Sequence, residues 1–342
     1  MLILAGITIA ALSGENGILI RATEARDNTI EAQEQEEQTL KEMENYINES
    51  LEDEASVELT DIYPTLYTDG TLGFSNNTEK IEGKEVEIEY ENIKGRSFIE
   101  FEEQPWYNES TKIENVIFAN EIVPSNLEVW FGGCNALKSI EGIENLNTSK
   151  VTSMSGMFNI CSSLKRVNIS GSNTDIIDLS TLNTENVEDM SYMFSGCKAL
   201  TNIIFGDDFN TSNVTNMNSM FQGCIALTTL DLSGFNTQRL TDMADMFVQC
   251  ESLTSLTFGS NFDTSKVEKM EAVFAMCKSL TKLDLTSFDT SSATIRNVMF
   301  MGCESMKEIL VGEGWTEPSE ADKVNMFRDC GVTGVTKVTG SE

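Results

Sequence analysis

The sequence has no histidine. That absence rules out a cysteine–histidine nucleophilic pair. With no Cys-x-x-Cys pair either, no ordinary zinc donor set is left. Basic charge is scarce: 23 Lys and Arg stand against 55 Asp and Glu, a formal charge of −32. Phosphate binding needs a basic patch, so nucleic acid is excluded as a partner. The same charge opposes electrostatic attachment to an anionic membrane surface. It favours solubility, a solvated acidic exterior, and cations or basic partners. The apolar run at residues 1–12, MLILAGITIAAL, falls short of the roughly 20 residues a membrane span requires. It lacks the basic start and small-residue cleavage site of a secretory signal. No GxGxxG or Walker-type loop is present. Carboxylates are plentiful, but no pair stands out for general acid–base work. The expectation is a protein that is not an enzyme and carries no cofactor.

What the chain does have is one recurring phrase: a bulky residue and a phenylalanine, two further residues, then cysteine. Met157-Phe158-x-x-Cys161, Met193-Phe194-x-x-Cys197, Met220-Phe221-x-x-Cys224 and Met246-Phe247-x-x-Cys250 share it. So do Val273-Phe274-x-x-Cys277, Met299-Phe300-x-x-Cys303 and Met326-Phe327-x-x-Cys330, and Trp130-Phe131-x-x-Cys134 opens the series. Successive cysteines are 27, 36, 27, 26, 27, 26 and 27 residues apart, a period that signals a solenoid.

One repeat shows the physics. Leu240-x-x-Met243-x-x-Met246-Phe247-x-x-Cys250 has the spacing of a short helix or 3₁₀ segment. Leu253-x-x-Leu256-x-Phe258 then alternates like a strand. No single repeat can bury these residues alone, but stacked neighbours can. The strand pattern recurs at Ile113/Val116/Phe118, Leu137/Ile140, Leu164/Val167/Ile169, Leu200/Ile203/Phe205, Leu227/Leu230/Leu232, Leu280/Leu283/Leu285 and Met306/Ile309/Val311. Ahead of each helical segment stands Asn or Asp followed by Thr: Asn147-Thr148, Asn183-Thr184, Asn210-Thr211, Asn236-Thr237, Asp263-Thr264 and Asp289-Thr290. Such side chains can cap a helix start or bond the backbone of the next coil.

The cysteines, Cys134, Cys161, Cys197, Cys224, Cys250, Cys277, Cys303 and Cys330, fall in one phase of the repeat. That phase suits a reduced, buried ladder. Disulfides between neighbouring coils are the alternative, although parallel side chains rarely reach S–S geometry.

The repeat, as Leu227-Thr-Thr-Leu230-Asp-Leu232-Ser-Gly-Phe235-Asn236-Thr237 with its Met243-x-x-Met246-Phe247-x-x-Cys250 continuation, resembles the BspA-type leucine-rich repeat of bacterial surface proteins. The likeness covers roughly residues 112 to 331. It implies an α/β leucine-rich-repeat solenoid, with a short parallel strand and a short helix per coil. It also implies an extracellular, cell-surface place and adhesion or binding, with a host or neighbouring-cell protein or glycan as partner. The stretch from Leu2 to Leu19 resembles the second half of the apolar helix of type IV prepilin-like proteins, truncated before the usual basic–glycine processing site. That likeness implies an anchor before processing and then self-association in a fibre. An amphipathic helix packed on the protein's own body is the alternative. Residues 20–51 carry Leu40, Met43, Ile47 and Leu51 at helical spacing on an acidic background.

Three regions are therefore expected: an N-terminal prepilin-like and acidic helix at 1–55, a small β-rich cap at 56–111, and the solenoid at 112–342. In the cap, Val57/Leu59, Thr65–Tyr67, Thr71–Phe74, Glu85–Tyr90 and Ser97–Phe101 read as strands, with Asp69-Gly70 as a hairpin turn. The long cysteine interval holds an extra segment near Ser170–Asp178, expected as a surface loop. The last coil, Cys330–Val338, reads as a terminal cap.

A binding face is expected on the strands, between the buried leucines. That phase carries Arg166, Asn168, Asn202, Ile204, Thr229, Asp231, Ser255, Thr257, Lys282, Asp284, Glu308 and Leu310. Its middle is rigid and rich in hydroxyls and carboxylates, a surface suited to proteins or glycans. Asp231 and Asp284, with Asp263 or Asp289 near, could also meet calcium. No complete EF-hand-type loop is present, and a solvated face is the preferred reading.

Overall fold

The computed structural model describes residues 57–172, 174–319, 323 and 325–338. The expected helices at 1–55, prepilin-like stretch included, lie outside the described residues. Among the described residues no helix is long and apolar enough to cross a membrane. Leu59–Glu342 is one compact unit.

That unit is a β-solenoid of about eight turns with very little helix. Its strands are β1 (Tyr63–Tyr67), β2 (Thr71–Ser75), β3 (Val86–Glu89), β4 (Asn115–Phe118), β5 (Ser139–Glu141), β6 (Arg166–Asn168) and β7 (Ile177–Asp178). They continue as β8 (Ile203–Ile204), β9 (Thr229–Leu232), β10 (Ser255–Phe258), β11 (Lys282–Leu285), β12 (Glu308–Val311) and β13 (Thr336–Lys337). The β1–β2 hairpin turns at Asp69-Gly70, and β3 pairs with β1, both antiparallel. β2 then pairs in parallel with β4, so the hairpin's own hydrogen bonds cover the first coil's edge. Trp106 locks this start of the stack: its indole N–H donates to the Trp130 carbonyl at 3.0 Å. The segments at Val57/Leu59 and Ser97–Phe101 are not strands. Phe98 instead drops alone into the core against Trp106, while Ile99 beside it is exposed.

The coils of β8 to β11 keep their expected strands, but the expected helix is replaced by a second ladder; in the coil of β12 a helical turn stands at Lys323, Asn325 and Met326. Met243, Asp245, Phe247 and Gln249 send their amides to Lys269, Glu271, Val273 and Ala275 of the next coil. The amides between them, of Met246, Val248 and Cys250, close turns onto the residue three before. A helix would need every amide for itself; here half of them join coils. The alternation requires left-handed backbone at Asp245 (φ 59°) and Gln249 (φ 60°), which no helix contains. The three-residue apolar spacing fits these turns as well as it fits a helix.

The ladder buries the repeat's signature. Phe131, Phe158, Phe194, Phe221, Phe247, Phe274, Phe300 and Phe327 stack ring on ring, with centroids 5.4 to 5.9 Å apart. The cysteines are free thiols. Each from Cys161 to Cys303 donates to the carbonyl of the phenylalanine one coil back, as Cys224 Sγ does to Phe194 at 3.2 Å. Burial pushes the Cys134 and Cys250 thiols up to about 12 and raises Cys161, Cys197, Cys224 and Cys277 as well. Cys330, at the end, is half-buried, and the neighbouring Cys303 thiol holds it below the ordinary range.

The Asn/Asp-Thr pairs take the second of their two expected roles. Buried Thr184, Thr211, Thr237 and Thr264 donate to carbonyls of the next coil at 2.8 to 2.9 Å. The preceding Asn or Asp accepts the amide two residues on, as Asp263 does from Ser265.

The extra segment is also more than a surface loop. Ile177 enters the sheet as β7, paired with Val167 on one side and Ile203 on the other. It is buried because a β-branched apolar residue fills the rung between β6 and β8. Ile169, expected to point inward, is instead exposed where the chain leaves β6.

Candidate functional site

The parallel sheet is interrupted twice. β4 through β8 run on without a gap, β9 pairs only with β10, and β11, β12 and β13 pair in that order. Where the ladder is whole, Thr254 donates its amide to the Thr228 carbonyl and Lys307 to the Thr281 carbonyl. No corresponding bond joins Thr228 to Thr201 or Thr281 to Thr254.

Coil length explains the two breaks. Coils spaced 27 and 26 residues apart alternate from Cys197 onward. The difference lies in the corner after the strand. Long corners read Phe205-Gly206-Asp207-Asp208-Phe209 and Phe258-Gly259-Ser260-Asn261-Phe262, and short ones read Leu232-Ser233-Gly234-Phe235 and Leu285-Thr286-Ser287-Phe288. A short corner followed by a long one packs tightly: a Cβ on Gly259 would collide with the Ser233 carbonyl. A long corner followed by a short one leaves room: a Cβ on Gly234 would meet nothing within 4 Å. Both breaks occur at the long-to-short step.

At the first break a cavity of about 520 Å³ opens between β8 and β9, lined by Ile204, Phe205, Asp207, Asn210, Asp231 and Gly234, among others. Phe205 is half-buried and rests on fully buried Phe209 and Phe235, with centroids 4.8 and 4.9 Å away. At the second break half-buried Phe258 rests on Phe262 and Phe288 at 4.6 and 5.0 Å. The two aromatic trios are near copies. Each break also presents one aspartate whose Oδ1 takes the amide two residues on. Asp231 binds Ser233 in this way at 2.9 Å, and Asp284 binds Thr286 at 3.0 Å.

The residues expected on the face divide accordingly. Thr229 lies beside Ser255 and Asp231 beside Thr257, all four exposed on the β9–β10 pair. Lys282 lies beside Glu308 and is ion-paired with it at 2.9 Å, and Asp284 lies beside Leu310. Asn202 is exposed ahead of β8, and its side-chain oxygen accepts the Ile203 amide. Arg166 is half-buried beside Ser139. Asn168 is buried, 3% exposed, because its amide donates to the Thr174 carbonyl and ties down the inserted loop; it does not reach the face.

Phe205, Asp207 and Phe258 were not among the expected residues. Their signal was the alternation of 27 and 26, which marks the longer corners. Among the described residues no group of three or more Cys, Asp or Glu is placed to hold a metal ion.

A leucine-rich repeat protein of Eubacterium ventriosum ATCC 27560 is similar at 15% identity over 78% of this chain and 96% of its own, with a TM-score of 0.27. A leucine rich cell surface protein of Faecalibacterium prausnitzii A2-165 is similar at 14% identity over 84% and 96%, with a TM-score of 0.23. Both likenesses are too loose to transfer a site. No curated protein matches the chain. The family described as Mycoplasma protein of unknown function, DUF285, matches residues 125–178, 169–258 and 256–335. These matches tile the repeat array through most of its length, and the chain belongs to the DUF285 family.

Proposed function

We propose that this protein is a non-enzymatic binding module of the bacterial cell surface, which captures a protein or glycan of a host or neighbouring cell on its strand face. The observation that carries the reading is the β9–β10 pair. Thr229, Asp231, Ser255 and Thr257 stand exposed in fixed register, beside a cavity of about 520 Å³. These groups are ordered before any ligand arrives, so little conformational entropy is lost on binding. The resemblance of the repeat to BspA-type surface proteins supports the cell-surface place and an adhesive role.

The test is capture of the full chain on a panel of immobilised cell-surface glycans and glycoproteins. Saturable capture by a panel member is expected. It should be lost in the Thr229→Arg, Thr257→Arg double variant, with the melting temperature unchanged. Equal capture by both proteins would overturn the face, and no capture by any panel member would overturn the reading.

A further inference from the structure

The two ladder breaks repeat a site, not merely a defect. From the first break to the second, the chain advances two coils, and the half-buried ring recurs as Phe205 and Phe258. The aspartate recurs as Asp231 and Asp284, each with Oδ1 held by an amide two residues on and its other oxygen open to a ligand hydroxyl. The second acid does not recur, since Ser260 stands where the first corner has Asp207. Two coils at the spacing of parallel strands put the sites on the order of 10 Å apart.

The geometry points to a paired subsite for a neutral β-linked polysaccharide, one sugar ring against Phe205 and another against Phe258. This deepens the binding reading above and rests on it. A β-linked chain turns the same face outward once per disaccharide, at a length close to two coil steps. An aromatic face suits the C–H face of a pyranose, and a carboxylate oxygen held in place accepts from its hydroxyls. One shared acid per site, in a chain of formal charge −32, disfavours uronic or sulfated sugars. A lysine-rich peptide would call for the second acid at both sites, and only the first has it.

The experiment is titration calorimetry of the full chain with β-1,4-linked oligomers of glucose and of N-acetylglucosamine, two and six residues long. A lysine-rich peptide serves as the control. The variants are Phe205→Leu and Phe258→Leu, which place at each site the leucine that Leu232 and Leu285 already supply in the alternate coils. One hexamer is expected to bind at least about tenfold tighter than its dimer, because it engages both sites at once. Either variant should erase that advantage while leaving dimer binding at the other site. Equal affinity for dimer and hexamer, or a hexamer indifferent to both variants, would overturn the proposal. So would binding of the peptide alone. If glycan capture on the panel still depended on Thr229 and Thr257, the face would stand and only the paired subsite would fall.

Discussion

Thr211 and Asn236 exchange two hydrogen bonds across a coil step: the hydroxyl donates to the Asn236 carbonyl at 2.9 Å and accepts from the Asn236 amide at 2.8 Å. Thr264 and Asp289 repeat the exchange at 2.9 and 2.8 Å. Both pairs lie at long-to-short steps, the steps at which the strand ladder is open. One buried hydroxyl on the far corner thus helps to hold coils that the strands do not join. At the intervening step Thr237 donates to Asp263, while its own amide is taken up by Asn261.

Thr211→Val should therefore cost more than Thr237→Val. The first change orphans a half-buried amide and a half-buried carbonyl, about 1–3 kcal/mol together, and the second orphans one half-buried carbonyl, about 0.5–1.5 kcal/mol. Thr211→Ser should recover most of the loss. Urea unfolding of the three variants measures this, and equal costs for the two valines would contradict the two-way bond.

Gly259 and Gly234 should respond oppositely to alanine. A Cβ on Gly259 meets the Ser233 carbonyl, whereas one on Gly234 meets nothing within 4 Å. Gly259→Ala is expected to cost about 1–3 kcal/mol through overpacking. Gly234→Ala should be close to neutral. The readout is the denaturant midpoint at constant m-value. A tolerated Gly259→Ala would mean that the short-to-long step is looser than described.

The thiol ladder makes the fold sensitive to alkali. An unfolded chain ionises its thiols near the ordinary value of about 8.5. In the fold, burial holds Cys134 and Cys250 neutral up to about 12. Folded pKa values above the unfolded ones give stability that is complete below pH about 8.5 and is lost as pH rises toward about 12, at about 1.4 kcal/mol per pH unit for each thiol. Stability should fall steeply between about pH 8.5 and pH 10, by about one and a half pH units' worth for each buried thiol. Cys224→Ala should lower its slope by one thiol's share. A flat profile would contradict burial of the reduced ladder.

The parts of this fold legible in the sequence are those in which local pattern and final contact coincide. Leu227-x-x-Leu230-x-Leu232 alternates because one side of β9 faces the core, and Asp69-Gly70 marks its hairpin through turn chemistry. The Met243–Cys250 segment has a helical spacing because a three-residue apolar period serves helix and turn ladder alike. Only the partner of each amide distinguishes the two, and that partner lies one coil away. Ile177 reads as part of a loop because its strand is two residues long and its partners, Val167 and Ile203, lie in neighbouring coils. For the candidate site, outward positions on β9 through β11 followed from alternation. Asn168 did not, because the loop that covers it folds back from outside the repeat. The cleft itself was written in the one-residue difference between coils. Its consequence depends on how Phe205 packs where Leu232 would fit, a matter of volume that spacing alone does not express.

The central claim is that alternate coil lengths open the strand ladder at two steps, where Phe205 and Phe258 become accessible. Residue-resolved amide hydrogen exchange tests it most directly. The amides of Thr254 and Lys307, bonded across closed steps, should be strongly protected. Those of Thr228 and Thr281, at the same strand position across the open steps, should exchange faster by two orders of magnitude or more, given that each protecting bond contributes to opening free energies of several kcal/mol. Equal protection at all four positions would mean a continuous ladder, and the paired sites would have no basis.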